Sequence, residues 1–533
     1  MVSAPLKRAV CALASSVALL ALLAPAASAG QEATGAVVKV SAGANGAQRL
    51  TYKVGPFQVI PGQNDISFES IAQKPDVDGW ITRIRPDLTY TSGKIPGVEV
   101  IHLHHGVWLN LSRQDATSPG LPERFFAAGE EKTIMQFPKG YGYEYKASDS
   151  WLLNHMIHNL TPVPTEVYMV YEIDFIPKTS PKARGIKPVR PIWMDVENGS
   201  TYPVFNVAKG SGSDGRYTYP SDEPAAYSGG SKDNEWVVDR DGVLISTAGH
   251  LHPGGLHTDL YMRRQGSRIR KQTGCAAKKS AAARKLCKRN APRGFGRNAH
   301  LFRSNAKYYE PAGAVSWDVA MTGTRSDWAV KVKAGDKLWT SATYDTKRGA
   351  WWESMGIMVV YMADSGPGKD PFRKRVDFPG KPTHGHLPEN DNHGGERTNL
   401  PDPRKLRDGA DVSGGLIDIL DFKYTLGDLS LAGQGGLPPV IRQGQSATFR
   451  NAELLGRRLY HSITSCKAPC NRKTGIAYPL ADSAVQFESN TLGTRVPASG
   501  AMDWKTPSSL KPGTYTYFCR IHPFMRGAFR VKQ

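Results

Sequence analysis

The segment GTYTYFCRIHPFMRGAFRV sets Cys519, His522 and Met525 in a C-x-x-H-x-x-M pattern between an aromatic-rich strand and a closing strand. One tight loop can therefore aim a thiolate, an imidazole and a thioether at a single point. A near-trigonal pair of imidazoles with a thiolate, and a weak thioether on the axis, is the donor set of blue copper. The second imidazole must come from a distant strand, and ATFRNAELLGRRLYHSITSC offers His461. The cysteines argue the same way. Beyond Cys11 there are five, of which Cys275 with Cys287 and Cys466 with Cys470 read as local disulfides in an oxidising compartment, leaving Cys519 unpaired.

Eight of the remaining histidines are grouped: His102, His104 and His105 in IHLHHGVWL, His155 and His158 in LLNHMIHNLTP, and His250, His252 and His257 in AGHLHPGGLH. On a strand, residues two apart share a face, so His250 and His252 can converge on one ion. The adjacent His104 and His105 point to opposite faces of an ideal strand and can share an ion only where the backbone bends. His384, His386 and His393 lie in a Pro/Gly-rich stretch and read as solvated.

The elements that must position these side chains are short, strand-like runs such as TEVYMVYEIDFI and MGIMVVYMA, separated by Gly, Pro, Asn and Asp clusters. Long amphipathic helices are lacking, and the profile predicts an all-β chain of sandwiches. Residues 1–29 read as a signal peptide ending in Ala27-Ser28-Ala29, so the protein is expected to be secreted. No second apolar run approaches the ~20 residues needed to span a bilayer. Four prolines and five basic residues between Pro177 and Pro191 suggest a break near 185. The predicted units are sandwiches over 30–185 and 186–365, a linker over 366–414, and a third sandwich over 415–533. The formal charge is +20, with thirteen Lys or Arg and no acid between Arg263 and Arg297. This segment reads as a solvated insertion pinned by Cys275 and Cys287, or as a contact for an anionic surface.

Residues 415–533 resemble the plastocyanin, pseudoazurin and amicyanin group of Greek-key cupredoxins, and the CRIHPFMRG loop is most similar to that of amicyanin. The N-terminal motifs resemble the copper type II, ascorbate-dependent monooxygenases, the family of peptidylglycine α-hydroxylating and dopamine β-monooxygenases. The family's HH pair before an apolar strand is matched by His104-His105, its later single His by His158, its H-x-H by His250-Leu251-His252, and its Glu-Met strand by Glu353-Ser354-Met355.

That resemblance implies two coppers in two sandwiches facing a solvated cleft. One, at His104, His105 and His158, would store an electron. The other, at His250, His252 and Met355, would use dioxygen to hydroxylate a substrate and would carry the catalysis. His102, His155 and His257 then fall to packing or supporting roles. The family's substrate-holding Arg, Asn and Tyr are replaced here by Ala248, Ile357 and Val359, so its peptide substrate does not carry over. Two function classes follow. One is a multi-copper monooxygenase with an appended cupredoxin, needing an electron donor, dioxygen and an unidentified substrate. The other is a copper-binding electron-transfer protein without hydroxylase activity.

Overall fold

The computed structural model describes residues 37–62, 66–197, 203–223, 234–270, 280–290, 295–309, 313–376, 379–384, 397–453, 459–471, 480, 483–494 and 501–533. The chain is nearly all β, in several sheets without a barrel. Among the described residues the α-helix is Ala281–Asn290, inside the basic insertion. No helix among them is long and apolar enough to cross a membrane. The leader, His386, His393 and the proposed Cys275 pairing lie outside the described residues. Cys466 and Cys470 form a disulfide, and Cys519 is a buried free cysteine.

The first sandwich packs a four-stranded sheet, ordered Ser67–Ile71, Trp151–Asn159, Ile101–Gln114 and Pro122–Ala128, on a second sheet. In the second sheet Thr165–Pro177 lies between Gln48–Val59 and Gly79–Tyr90. Alternate residues point inward, so Tyr52, Leu88, Leu103, Trp108, Leu153 and Tyr171 meet in one apolar core.

The second sheet has no free edge toward the next sandwich. Tyr141–Tyr145 pairs in parallel with Lys187–Asp195, which pairs with Ile357–Ala363, which pairs with Gly242–His250. One ladder thus runs through both sandwiches. Ile357–Ala363 is buried along its whole length, with Ile357, Val359 and Tyr361 in the first core and Met358, Val360 and Met362 in the second. Burial on both faces explains its uninterrupted apolar sequence. The second sandwich is closed by Gly255–Arg263 between Asn298–Tyr308 and Lys337–Asp345.

The C-terminal unit packs two four-stranded sheets. One orders Lys423–Tyr424, Leu416–Leu420, Thr448–Asn451 and Asp503–Lys505; the other orders Val440–Arg442, Arg526–Lys532, Gly513–Phe518 and Thr464–Cys466. This unit is not tethered at a distance. Cys466, Cys470, Leu480 and Phe518 share an apolar cluster with Val98, Leu160, Leu251, Trp317 and Trp351. The buried Arg520 donates to the Ala350 carbonyl across the junction and pairs with Glu488 at 3.2 Å.

The stretch read as a linker also differs from a free tether. Lys381–Pro382 pairs with Val319–Gly323, Val376 joins the second core, and Asp408 pairs with Arg530 and Lys532. Among its described residues Val376, Asp370 and Asp408 find partners on the bodies it joins.

Candidate metal centres

In the C-terminal unit three donors converge. His461 Nδ1 and His522 Nδ1 are 3.3 Å apart, and Cys519 Sγ lies 3.9 and 3.8 Å from them. The point equidistant from all three is about 2.1 Å from each, the length of a metal–nitrogen bond. His461 Nε2–H donates to Glu453 at 3.1 Å, which leaves the Nδ1 lone pair facing inward. The Ser462 and His522 amides donate to Cys519 Sγ at 3.3 and 3.4 Å. Met525 is buried in the same loop, in the apolar cluster that contains Cys519.

Electrostatics fit a thiolate ligand. Burial pushes the Cys519 thiol up, but His461 and the two amides outweigh it and hold the thiol below its ordinary value. Burial pulls His461 down, while Cys519 and Glu453 raise it above the usual imidazole range. His522 is driven well below that range by burial and by the charges of His461 and His158. The last of these is a histidine of the first sandwich.

His102, His104, His105, His158, His250 and His252 form one buried cluster where the two N-terminal sandwiches meet. A β-bulge falls between Leu103 and His105, so His102 sits opposite His158, and His104 is the extra residue. This is the bend that adjacent histidines require. The His104 ring lies 6.1 Å from His158 and 4.1 Å from His252, and His102 lies 5.2 Å from His158. Trp317 stacks on His102 at 4.0 Å and reaches His104, His158 and His252 within 6.2 Å.

His105 turns its Nε2 to Asn154 at 3.0 Å, and His250 and His155 are the histidines whose charges bear on it. His102, expected in a packing or supporting role, is the cross-strand partner of His158. His102, His104, His105, His158, His250 and His252 are all buried, and the His104 ring lies 4.1 Å from that of His252. His155 packs on Phe57, and His257 pairs with Asp259.

His250 and His252 face each other through Nε2 at 3.0 Å, a spacing that two imidazoles about 2.0–2.1 Å from one ion can adopt. His250 Nδ1–H donates to Glu131 at 2.9 Å, freeing Nε2 for a metal. Glu130, His250 and His252 bring donor atoms within 4.8 Å of one another, as do His461, Cys519 and His522. Both nitrogens of His104 and of His158, Nε2 of His102 and both oxygens of Glu130 are buried without a hydrogen-bond partner. So many bare donors would be costly unless something binds them.

Met355 is buried, and its backbone is pinned. The Tyr344 hydroxyl donates to the Met355 carbonyl at 2.6 Å and accepts from the Met355 amide at 3.1 Å and the His252 amide at 3.3 Å. Glu130, Glu131, Trp317 and Tyr344 were not found from sequence. Only the acidic pair in Gly129-Glu130-Glu131-Lys132 carried a signal, too common in a surface turn to stand out.

A cavity of about 530 Å³ opens at His250. Its walls include Phe126, Met135 and Tyr361, together with Ala248, Ile357 and Val359. The chain matches no family model and no curated protein. A solved structure of PNGF-II aligns over 62% of this chain and 62% of its own, at 11% identity and a TM-score of 0.20. That likeness is too slight to bear on function.

Proposed function

We propose that the protein is an exported multi-copper redox enzyme, a copper-dependent monooxygenase with a built-in cupredoxin. His461, Cys519, His522 and Met525 hold the blue copper; His104, His105 and His158, with His102 beside them, and His250, His252 and Met355 supply the N-terminal copper ligands. Bound copper supplies one-electron transfer in the cupredoxin and dioxygen chemistry in the histidine cluster.

The observation that carries this reading is the junction between the centres. His158, Trp317, Trp351, Trp352, Arg520 and Ile521 line one small gap. The residues after Cys519 thus press against the cluster rather than facing solvent. Gly62 allows this approach, because a Cβ there would lie 2.8 Å from the His522 ring and 2.4 Å from Phe422. A carrier that gives electrons to an outside partner has no need of such a seat. The buried cluster excludes bulk water, and the cavity at His250 offers room for a substrate.

The alternative, copper binding and electron transfer without hydroxylation, draws on the apolar Ala248, Ile357 and Val359 in the cavity wall. Elemental analysis together with oxygen uptake decides between them. More than one copper per chain and reductant-dependent oxygen consumption are expected; a single copper and no oxygen uptake would leave the carrier.

A further inference from the structure

We propose that Glu130 is a metal ligand, completing with His250 and His252 a site of two imidazoles and one carboxylate for a divalent first-row ion. The inference rests on metal binding at His250 and His252, but not on that metal being copper or on hydroxylation.

Pro122–Ala128 leads into a turn in which the Lys132 amide donates to the Gly129 carbonyl at 2.9 Å. The turn is pressed onto the cluster. A Cβ on Gly129 would lie 2.4 Å from His250 Cε1 and 2.6 Å from the His104 carbonyl, so glycine alone permits the approach. Of the two carboxylates that follow, Glu131 is fully engaged. One of its oxygens takes the Gly129 amide at 3.0 Å and the other takes His250 Nδ1–H at 2.9 Å.

Glu130 is buried equally deeply, yet neither of its oxygens has a hydrogen-bond partner. The nearby cation is committed elsewhere, for Lys132 Nζ pairs with Asp87 at 2.5 Å. A bare carboxylate in a dry interior costs several kcal/mol unless a charge compensates it. The donors within 4.8 Å are His250 and His252, whose Nε2 atoms face each other. A cation held by all three would answer the buried carboxylate and both imidazoles at once, with Glu131 orienting His250 from behind. An anionic oxygen favours the divalent state, and the same donor set serves non-haem iron and zinc as well as Cu(II).

The test uses the full-length protein stripped of metal and titrated with Zn(II), a redox-inert probe, followed by calorimetry and elemental analysis. Glu130→Gln, which keeps shape and removes charge, is expected to weaken the His250/His252 site by about 100-fold or more, whereas Glu130→Asp retains measurable binding. Metal-free Glu130→Gln is also expected to melt higher than metal-free wild type, because the cost of burying an ionisable carboxyl there is gone. Wild-type Zn(II) affinity in a folded Glu130→Gln overturns the inference, as does a lower metal-free melting temperature. If the wild type binds zinc or iron there but uses no oxygen, the proposed monooxygenase falls while Glu130 stands as a ligand. If oxygen is consumed and Glu130→Gln binds normally, the reverse holds.

Discussion

The two metal-binding regions are built in opposite ways. In the C-terminal unit three of the four proposed ligands lie within seven residues of one loop, and the fourth, His461, is held by the adjoining strand segment and Glu453. The N-terminal cluster gathers residues near 102, 130, 158, 252 and 317 from two sandwiches and depends on the shared ladder to bring them together. Their electrostatics differ too. In the C-terminal site His461 sits above the ordinary imidazole value beside a thiol lowered by the same contact, although His522 is pushed down, whereas His102, His104, His105, His158 and His252 are all pushed down by burial. A local site can therefore survive changes elsewhere, while a distributed one reports on the packing of the whole N-terminal half.

The largest effect expected is spectroscopic. Cys519→Ser removes the only sulfur anion among the C-terminal donors and should abolish the blue colour completely, with metal at His250 and His252 retained. An equally blue variant would show that the colour has another origin. Next comes acid. In the metal-free protein His155 and His158 titrate near 4 and His105 near 3 because burial penalises their charged forms. The unfolded chain takes up those protons near 6.5. The stabilisation is therefore intact above that pH and is lost progressively as pH falls toward the folded values. By pH 5 the loss is about 2 kcal/mol per histidine. Denaturation of metal-free protein at pH 7 and pH 5 measures it, and unchanged stability would contradict buried neutral imidazoles. Loaded metal should blunt the effect, since it needs the same neutral rings.

The contrast between the regions also governs what the sequence could reveal. The loop from Cys519 to Met525 is legible because its chemistry lies within one turn of chain, and the odd cysteine marks it. The all-β class is legible in the alternation of strands and the spacing of turns. What stayed hidden is non-local. Nothing in IHLHHGVWL announces that a bulge will leave His104 as the extra residue and set His102 opposite His158. The apolar run Ile357–Ala363 shows that a strand is buried, but not that two sandwiches share it. Trp317 and Tyr344 carry no motif at all; only packing gives them their place.

Tyr344 offers a way to disturb the distributed site without touching a ligand. Tyr344→Phe preserves the ring and deletes the hydroxyl that ties His252 to Met355, leaving two amides and a carbonyl short of a partner. A loss of about 1–3 kcal/mol in chemical denaturation is expected. Zn(II) affinity at His250 and His252 should fall with it, and the blue colour should not change. A stability loss with unaltered metal affinity would mean that the hydroxyl supports the strand and not the site.

The smallest effect should come from Met355. Leucine nearly matches methionine in volume and apolarity, so Met355→Leu should cost less than about 1.5 kcal/mol and leave the protein folded and blue. What changes depends on the sulfur. If Met355 binds the ion at His250 and His252, the reduced copper loses a sulfur scatterer in X-ray absorption and oxygen use falls sharply, because the soft donor that favours Cu(I) has gone. The cupredoxin sulfurs would mask this loss, so the comparison is best made in the full-length Cys519→Ser background, where the blue site no longer contributes its thiolate. If the spectrum is unchanged there while Glu130→Gln abolishes binding, the third donor is the carboxylate. Met355 would then be a core methionine whose carbonyl and amide hold Tyr344 in place, and the centre would be tuned to a divalent ion.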